Sequence, residues 1–241
     1  MKVAILLLAA GRGTRLGSDV PKAFLNLGGE TLLLHSAARL LAAVATRDSC
    51  EVIVLVQPED RVELVPSCID RLRAIMPSGT DPKIVDGGAT RQESMELGLK
   101  ATAEDVDFVC VHDAARPLVP VDRARECLRT AQAVGAALLA VPAADTLKRV
   151  EGSLAVETLD RSSIWCAQTP QIARREWFLQ AIERAREAKF EATDDVSMLE
   201  HAGLPVSVVS GTAGNLKITR PDDLPLAQAL LERDPTPFPN A

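Results

Sequence analysis

The residues with the clearest capacity for chemistry lie in the loop that follows the first apolar run of the chain. That run, Val3–Leu8, is extended by two alanines, and glycines and cations then alternate. The loop contains Gly11, Arg12, Gly13, Arg15, Gly17 and Lys22. Glycines allow backbone N–H groups to approach a ligand closely, and the cations select a ligand that is negatively charged. A polyphosphate meets both conditions most simply; the alternative is a solvated surface loop.

The spacing of these residues narrows the type of phosphate loop. Leu16 occupies the position of the third glycine in the dinucleotide fingerprint G-x-G-x-x-G. The chain contains no Gly-Lys pair, which excludes a Walker loop as well. What remains is A-A-G-R-G-T-R, followed by Pro21 and Lys22. This pattern resembles the nucleotidyltransferases, which transfer a nucleoside monophosphate from a triphosphate to a phosphate or sugar phosphate.

Two further polar groups follow predicted strands. Residues 87–94 form a glycine-rich turn that leads into a helix, and such a helix N-terminus suits an anion or the polar edge of a base. Asp113 follows a buried strand and supplies the hard oxygen that Mg²⁺ prefers, while Arg116 could hold a second anionic substrate. Each group also has a plainer interpretation, as an ordinary strand–helix turn and as a helix cap. For His112 we expect a structural or positioning role.

Three later motifs are weak when taken singly. They lie at residues 160–171, 193–195 and 215–219. Lys217, for example, stands in a short apolar run, where a lysine more often extends its amine to solvent than acts in catalysis.

Composition limits the classes of protein to consider. The chain has 241 residues, 47% of them apolar and 25% charged, which indicates one globular domain, and its net charge of −6 argues against broad nucleic-acid binding. No apolar run reaches the roughly 18 residues of a membrane span, and the first run lacks a cleavage site for a signal peptide. We therefore expect a cytoplasmic protein that does not bind membranes. Its five cysteines are too scattered for a zinc site or a disulfide framework.

Strands and helices alternate through the first 141 residues. Strands are predicted at residues 3–8, 51–57, 83–86, 107–112 and 136–141, and helices at residues 31–44, 58–76, 90–101 and 122–134. This order predicts an α/β protein, a three-layer α/β/α sandwich whose sheet is mostly parallel. Ligands of such sheets bind at the carboxyl ends of the strands, where the glycine-rich turns and Asp113 fall.

The pattern changes after residue 142. Two short alternating segments around Glu151 and Gly152 predict a β-hairpin that projects from the sheet, at about residues 143–160. An isolated hairpin is marginally stable, so we expect this arm to pack on a second copy of the chain. Strands at 164–169, 206–209 and 216–219 and helices at 174–189, 195–202 and 221–232 complete a single domain over residues 1–233. Residues 234–241, with three prolines, predict a loose tail.

Taken together, the motifs resemble those of one family, the 2-C-methyl-D-erythritol 4-phosphate cytidylyltransferases of the non-mevalonate isoprenoid pathway. The resemblance runs in order from residue 1 to about residue 231. The matching motifs are A-A-G-R-G-T-R at 9–15, P-K at 21–22, G-G-A-T-R-Q-E-S at 87–94, H-D-A-A-R-P at 112–117, D-T-L-K at 145–148, Q-T-P-Q at 168–171, T-D-D at 193–195 and N-L-K-I-T at 215–219.

The resemblance implies a Rossmann-like nucleotidyltransferase fold, a homodimer whose arms complete each other's sites, and transfer of CMP from CTP with the help of Mg²⁺. It implies that Asp113 serves Mg²⁺, and that the catalytic groups facing the α-phosphate are Arg15, Lys22 and Lys217. The implied CTP-binding residues are Ala9, Ala10, Gly11, Gly13, Gly88, Ser94 and Ala114. The implied residues for methylerythritol phosphate are Arg116, Thr146, Arg161, Thr169 and Thr193.

Alternatives remain in three classes. A relative that uses D-ribitol 5-phosphate is the nearest, but the Ala-Ala-Gly of the first loop, Lys148 and the second aspartate of T-D-D favour methylerythritol phosphate by resemblance. An NAD-dependent oxidoreductase would need a glycine in place of Leu16. A non-catalytic nucleotide-binding module would give Lys22, Asp113 and Lys217 no reason to converge.

Overall fold

Strand β1, Val3–Leu8, lies near the middle of a seven-stranded sheet. The structure, a computed structural model, describes residues 1–11, 20–44 and 50–238. The strands of the large sheet are β1, β4 (Cys50–Val56), β5 (Lys83–Asp86), β6 (Phe108–Asp113), β7 (Ala136–Pro142), β10 (Trp165–Arg174) and β11 (Ser207–Ser210). Their spatial order is β11-β7-β10-β6-β1-β4-β5. Strand β10 is antiparallel to both of its neighbours, whereas the other pairings are parallel.

Helices cover both faces of this sheet. The helices are α1 (Leu32–Val44), α2 (Pro58–Glu63), α3 (Val65–Ile75), α4 (Arg91–Ala101), α5 (Val121–Val134), α6 (Arg175–Ala188), α7 (Asp195–His201) and α8 (Asp223–Arg233). Apolar side chains of α1, α3 and α5 pack with Ile5 and Leu7 on one face, while those of α4, α6 and α7 pack with Ala4 and Leu6 on the other. This alternation along β1 follows from the period of two in a strand. The predicted three-layer α/β/α sandwich is confirmed.

Two short hairpins stand apart from the large sheet. β2 (Asn26–Leu27) and β3 (Glu30–Thr31) follow a 3-10 turn at Lys22–Phe24. β8 (Lys148–Glu151) and β9 (Leu154–Thr158) form the predicted arm, and every residue of both strands is exposed. Within the described residues, no helix combines the length and apolarity that a membrane span requires.

Four predicted elements differ in the structure. The helix expected over 58–76 is two helices, which meet at Leu64 because Pro66 favours the first turn of a new helix. Residues 216–219 are a loop rather than a strand. Strand β10 extends beyond the predicted end at residue 169, through a register shift between Ala167 and Gln171 that lets the strand pass Pro170.

The first five residues of the predicted loose tail are the fourth difference, since they pack against α1. Arg39 is 1% exposed, and its Nη1 lies 2.7 Å from Asp234 Oδ2. His35 Nδ1 shares a hydrogen bond of 2.7 Å with Thr236 Oγ1, and the ring of Phe238 lies 5.3 Å from that imidazole. Buried polar groups on α1 thus hold residues 234–238 in place. Residues 239–241 lie outside the described part of the chain.

Candidate active site

A cavity of about 340 Å³ opens at the carboxyl ends of β1, β4, β5 and β6, where the topology predicts a ligand. Its size falls within the range of small-molecule sites. The cavity is lined by Leu8, Ala9, Ala10, Gly11, Lys22, Ala23, Gln57, Gly88, Ala89, Thr90, Arg91, Ser94, Asp113, Ala115 and Lys217. Residues from six separate stretches of the chain therefore meet at one edge of the sheet.

The backbone forms one wall of the cavity, and two glycines make this possible. A Cβ on Gly87 would lie 2.5 Å from the Cβ of Ala10, and one on Gly88 would lie 2.3 Å from the Cβ of Glu93. Neither spacing is tolerated by ordinary carbon atoms. The requirement for glycine at residues 87–88 thus comes from close packing of the two predicted phosphate-binding turns against each other and against α4.

Helix α4 begins at this wall with a capping box. Thr90 Oγ1 accepts from the backbone N–H of Glu93, whose carboxylate in turn accepts from the N–H groups of Ala89 and Thr90. Ser94 Oγ accepts from Gly88 N at 3.0 Å and donates to the carbonyl of Thr90 at 2.9 Å. These bonds fix the turn in one conformation and give Gly88, Thr90, Glu93 and Ser94 of the predicted motif a structural role.

Asp113 lies on the cavity floor among three cations. Lys217 Nζ is 2.7 Å from Asp113 Oδ2, Arg116 Nε is 3.7 Å from the same oxygen, and Arg91 Nη1 donates to Oδ1. Burial alone would raise the pKa of the Asp113 carboxyl, but the charges of Arg91 and Lys217 outweigh burial and hold that pKa well below its ordinary value. Asp113 is therefore ionised at neutral pH, within a site whose local charge is positive.

A buried hydrogen-bonded chain orients Asp113 from beneath. Thr169 Oγ1 accepts from the backbone N–H of Asp113 at 3.1 Å and donates to His112 Nδ1 at 2.9 Å. The opposite ring nitrogen of His112 donates to the carbonyl of Arg116 at 3.1 Å. Burial lowers the pKa of His112 to about 4, so its imidazole is neutral. These contacts make His112 part of the support beneath Asp113, in line with the structural or positioning role expected for it.

The loop that carries Lys217 is held by Asn215. This side chain is fully buried, and its amide nitrogen donates to Gln168 Oε1 at 3.1 Å and to the carbonyl of Thr169 at 2.9 Å. Arg116 Nη1 donates to the carbonyl of Asn215 at 2.7 Å. The motifs at 168–171 and 215–219 are weak when taken singly, but their contacts together position Lys217 next to Asp113.

The structure brings together eight of the predicted site residues and leaves others apart. The eight that line the cavity are Ala9, Ala10, Gly11, Lys22, Gly88, Ser94, Asp113 and Lys217. Arg15 and Gly13 lie outside the described residues. The described lining does not include Ala114, Arg116, Thr146, Arg161, Thr169 or Thr193.

These six residues have different surroundings. Both backbone polar groups of Ala114 form hydrogen bonds within the protein: its N–H donates to Leu8 O and its carbonyl accepts from Ser36 Oγ. Arg116 pairs with Asp113 just behind the floor. The hydroxyl of Thr169 makes two internal hydrogen bonds, so a substrate contact would have to replace one of them. Thr146, Arg161 and Thr193 are exposed, the first on the arm and the second just after it.

Two of the lining residues that the sequence analysis left without a role support the site through their side chains. Gln57 donates from Nε2 to the carbonyl of Ala10 at 2.7 Å and so braces the first loop from β4. Arg91 could be recognised from the sequence only as a member of the motif at 87–94, without a role of its own. Its function depends on Asp113 and Asp195, which are distant in sequence, and nothing local marks such a partnership.

The cavity is suited to a metal ion that is shared with a polyphosphate. Among the described residues, no group of three or more His, Cys, Asp or Glu side chains could enclose a metal on its own. Mg²⁺ does not need such a cage, because it commonly binds one or two carboxylates together with substrate phosphates and water. Asp113 supplies one ionised carboxylate on the cavity floor, so the residues present fit a magnesium ion carried by a nucleotide.

A mostly parallel sheet, a glycine-walled cavity at its carboxyl edge and a single carboxylate among cations are the features of a nucleotidyltransferase. The chain belongs more particularly to the 2-C-methyl-D-erythritol 4-phosphate cytidylyltransferase family (IspD), whose family model matches residues 3–233.

Individual relatives agree with this assignment. The enzyme named 2-C-methyl-D-erythritol 4-phosphate cytidylyltransferase from Geobacillus kaustophilus is 39% identical over 232 residues, which are 96% of this chain and 97% of that protein. A bifunctional enzyme IspD/IspF from Desulfotalea psychrophila is 36% identical over 98% of this chain, which spans 58% of that longer protein. The crystal structure of the cytidylyltransferase from Thermus thermophilus superimposes with a TM-score of 0.76 at 36% identity, covering 96% of this chain and all of that one.

Proposed function

We propose that this protein transfers CMP from CTP to 2-C-methyl-D-erythritol 4-phosphate. The products are 4-diphosphocytidyl-2-C-methyl-D-erythritol and pyrophosphate, an early step toward isoprenoid precursors. The observation that carries the proposal is the ionised Asp113 beside Lys217 and Arg91 in a glycine-walled cavity, within a chain of this family. A phosphate of the acceptor and the triphosphate of CTP both need the positive charge that surrounds this carboxylate. We also propose that the reaction takes place in the cytoplasm.

The chemical step needs electrostatic help more than proton transfer. An oxygen of the acceptor phosphate attacks the α-phosphorus of CTP, a new P–O bond forms, and the bond to the β-phosphate oxygen breaks as pyrophosphate leaves. The attacking oxygen is already ionised, so no general base is required. The barrier arises from bringing two anions together and from charge on the α-phosphoryl oxygens, which positioned cations stabilise.

The cations that would stabilise this charge are Arg15, Lys22 and Lys217. Lys22 and Lys217 both line the cavity. Among the residues that the structure describes, Lys217 forms one ion pair, to Asp113 Oδ2, and its side chain is 40% exposed, so it is able to pass from the carboxylate to a phosphate oxygen. Loss of one such donor typically costs about 10²–10³ in rate.

The remaining contacts to CTP would come from the backbone wall of the cavity. Ala9, Ala10, Gly11 and Gly13 in the first loop, and Gly88 and Ser94 in the second turn, would cradle CTP, with Ala114 at their base. Asp113 would hold Mg²⁺, which when bound neutralises phosphate charge and fixes the triphosphate in place.

The acceptor site would be completed by a second copy of the chain. Arg116, Thr169 and Thr193 would contact methylerythritol phosphate from the same chain, while Thr146 on the partner's arm and Arg161 just after that arm would complete the site. In support, the arm strands expose Val150, Leu154 and Val156 at 56%, 70% and 48%. An exposed apolar hairpin of this kind is unstable alone and favours burial against another molecule.

The test is release of pyrophosphate in the presence of CTP and Mg²⁺, compared between 2-C-methyl-D-erythritol 4-phosphate and D-ribitol 5-phosphate. We expect rapid release with the methylerythritol substrate and little with the ribitol one. Release with ribitol phosphate alone would keep the nucleotidyl transfer but overturn the proposed acceptor.

A further inference from the structure

Arg91 is the residue that joins the nucleotide side of the cavity to the segment that precedes α7. Its guanidinium donates from Nη1 to Asp113 Oδ1 and from Nη2 to Asp195 Oδ2, the latter at 2.5 Å. The two carboxylates belong to different parts of the fold, one at the end of β6 and the other at the start of α7. A planar guanidinium can bridge two carboxylates in a fixed geometry, which a lysine cannot do.

The buried carboxylate of Asp195 is unfavourable for the stability of the fold. Asp195 is 1% exposed, and within the described residues its Oδ1 has no hydrogen-bond partner. Burial of a charge with incomplete hydrogen bonding is destabilising, and an apolar pair in its place is often neutral or better. Stability alone therefore gives a poor account of Arg91 and Asp195, whereas a positioning role accounts for both.

The segment around Asp195 is anchored to the first turn of α4 at two points. Besides Arg91, the neighbouring Gln92 accepts from the backbone N–H of Ala192 at 3.0 Å through its Oε1. These contacts stand on either side of Thr193, one of the residues assigned to the acceptor. Thr193 therefore depends for its position on the same helix turn that forms the wall of the CTP cavity.

The other side of the segment rests on the sheet. Asp194 caps α7 through the N–H of Ser197 at 3.0 Å, and Gln171 of β10 donates to Asp194 Oδ2 at 2.8 Å and accepts from Val196 N at 3.0 Å. With the sheet side fixed, any shift of the α4 turn is transmitted to Thr193 through Arg91 and Gln92.

We propose that Arg91, with its buried partner Asp195, is a positioning residue that couples the binding of CTP to the binding of the acceptor. Arg91 occupies Asp113 Oδ1 and keeps this carboxylate in place when Lys217 leaves Oδ2 for a phosphate. The same guanidinium holds Asp195 and hence Thr193 at the acceptor. This inference rests on the proposed function, because it assumes that the second substrate is a sugar phosphate bound near Thr193.

The experiment measures the dissociation constant of 2-C-methyl-D-erythritol 4-phosphate by calorimetry, with and without saturating α,β-methylene-CTP and Mg²⁺. The ratio of the two constants is the coupling between the sites. We expect the inert analogue to tighten acceptor binding at least about fivefold in the wild-type chain, a coupling of ordinary size. In Asp195→Asn the ratio should fall to within about twofold of one, while the analogue's own dissociation constant changes less than about threefold.

Asp194→Asn is the matched control. It removes one negative charge from the adjacent position and keeps a good N-cap side chain. It replaces the Oδ2 that accepts from Gln171, but it leaves the Gln171–Val196 hydrogen bond and all contacts of Arg91 in place. We expect this control to retain at least about half of the wild-type ratio. If Asp195→Asn fails to fold, the double variant Arg91→Met with Asp195→Leu removes both charges together, and it should fold yet show no coupling.

Three results would overturn the inference: a wild-type ratio near one, a wild-type ratio in a folded variant that lacks the Asp195 carboxylate, or an equal loss in Asp194→Asn. The proposed function is judged separately, by pyrophosphate release from the wild-type chain. A chain that turns over methylerythritol phosphate but shows no coupling would refute only the inference, and a chain that releases no pyrophosphate with this substrate would refute the proposed function.

Discussion

The buried hydroxyl of Thr169 offers the sharpest test of how the site is held. Replacement by valine keeps the shape of the side chain and removes only the oxygen that joins Asp113 N to His112 Nδ1. Both partners are buried, and each buried group that loses its only hydrogen bond costs about 1–3 kcal/mol. Two such groups, less the gain from a buried methyl, give an expected destabilisation of about 3 kcal/mol for Thr169→Val.

The assay is urea unfolding at pH 7, with Thr169→Ser as the control. Serine keeps the hydroxyl and loses one methyl, so this control should cost only about 1 kcal/mol. The comparison holds as long as the two variants unfold with the same m-value. If Thr169→Val were as stable as Thr169→Ser, the hydrogen bonds beneath Asp113 would contribute nothing to the free energy of unfolding. Thr169 would then not be the residue that holds Asp113 and His112 in place.

Further predictions concern charge, pH and close packing. Lys217→Met should lower kcat by about 10²–10³. Its melting temperature should change little, because Arg91 and Arg116 still pair with Asp113. Steady-state kinetics and thermal unfolding measure both quantities, and a near-normal kcat would show that the catalytic role given to Lys217 is wrong. The buried neutral His112 has a folded-state pKa of about 4, below its unfolded value near 6.5, so its contribution to stability is present above pH 6.5 and is lost as the pH falls toward 4. Between pH 7.5 and 4.5 the unfolding free energy of the wild type should therefore fall by roughly 2.5 kcal/mol more than that of His112→Gln, and parallel curves would contradict this. Gly87→Ala places a Cβ 2.5 Å from that of Ala10 and should destabilise the fold by about 1–3 kcal/mol and raise KM for CTP, whereas Gly214→Ala, with no contact closer than 3.7 Å, should do neither.

Much of the fold could be predicted because the core strands are locally unambiguous. Val3–Leu8 and Phe108–Asp113 are apolar runs that stop before a glycine-rich loop or at a lone acidic residue, and their parallel direction follows from the α/β alternation. The prediction was wrong where tertiary contacts decide the conformation. Residues 216–219 alternate like a strand, yet Ile218 N donates to the carbonyl of Ala115, and the segment serves as a loop across the strand ends.

The site was predictable in its chemistry and less so in its supports. The glycines, Lys22 and Asp113 could be identified because only a few residue types can cradle a phosphate or hold a metal. The roles of Arg91 and Gln57 could not, because both depend on partners that are distant along the chain. The inward-facing hydroxyl of Thr169 is likewise invisible without the pairing of β10 with β6.

The central claim is that a nucleotidyl group moves from CTP to the acceptor phosphate. The most direct test incubates the protein with Mg²⁺, 2-C-methyl-D-erythritol 4-phosphate and CTP labelled with ³²P at the α-phosphorus, and follows the label by chromatography. We expect the label to appear in a diphosphate-linked cytidyl product, while the pyrophosphate formed in equal amount stays unlabelled. Label retained in CMP or CDP, with the acceptor unchanged or carrying an unlabelled phosphate, would contradict it.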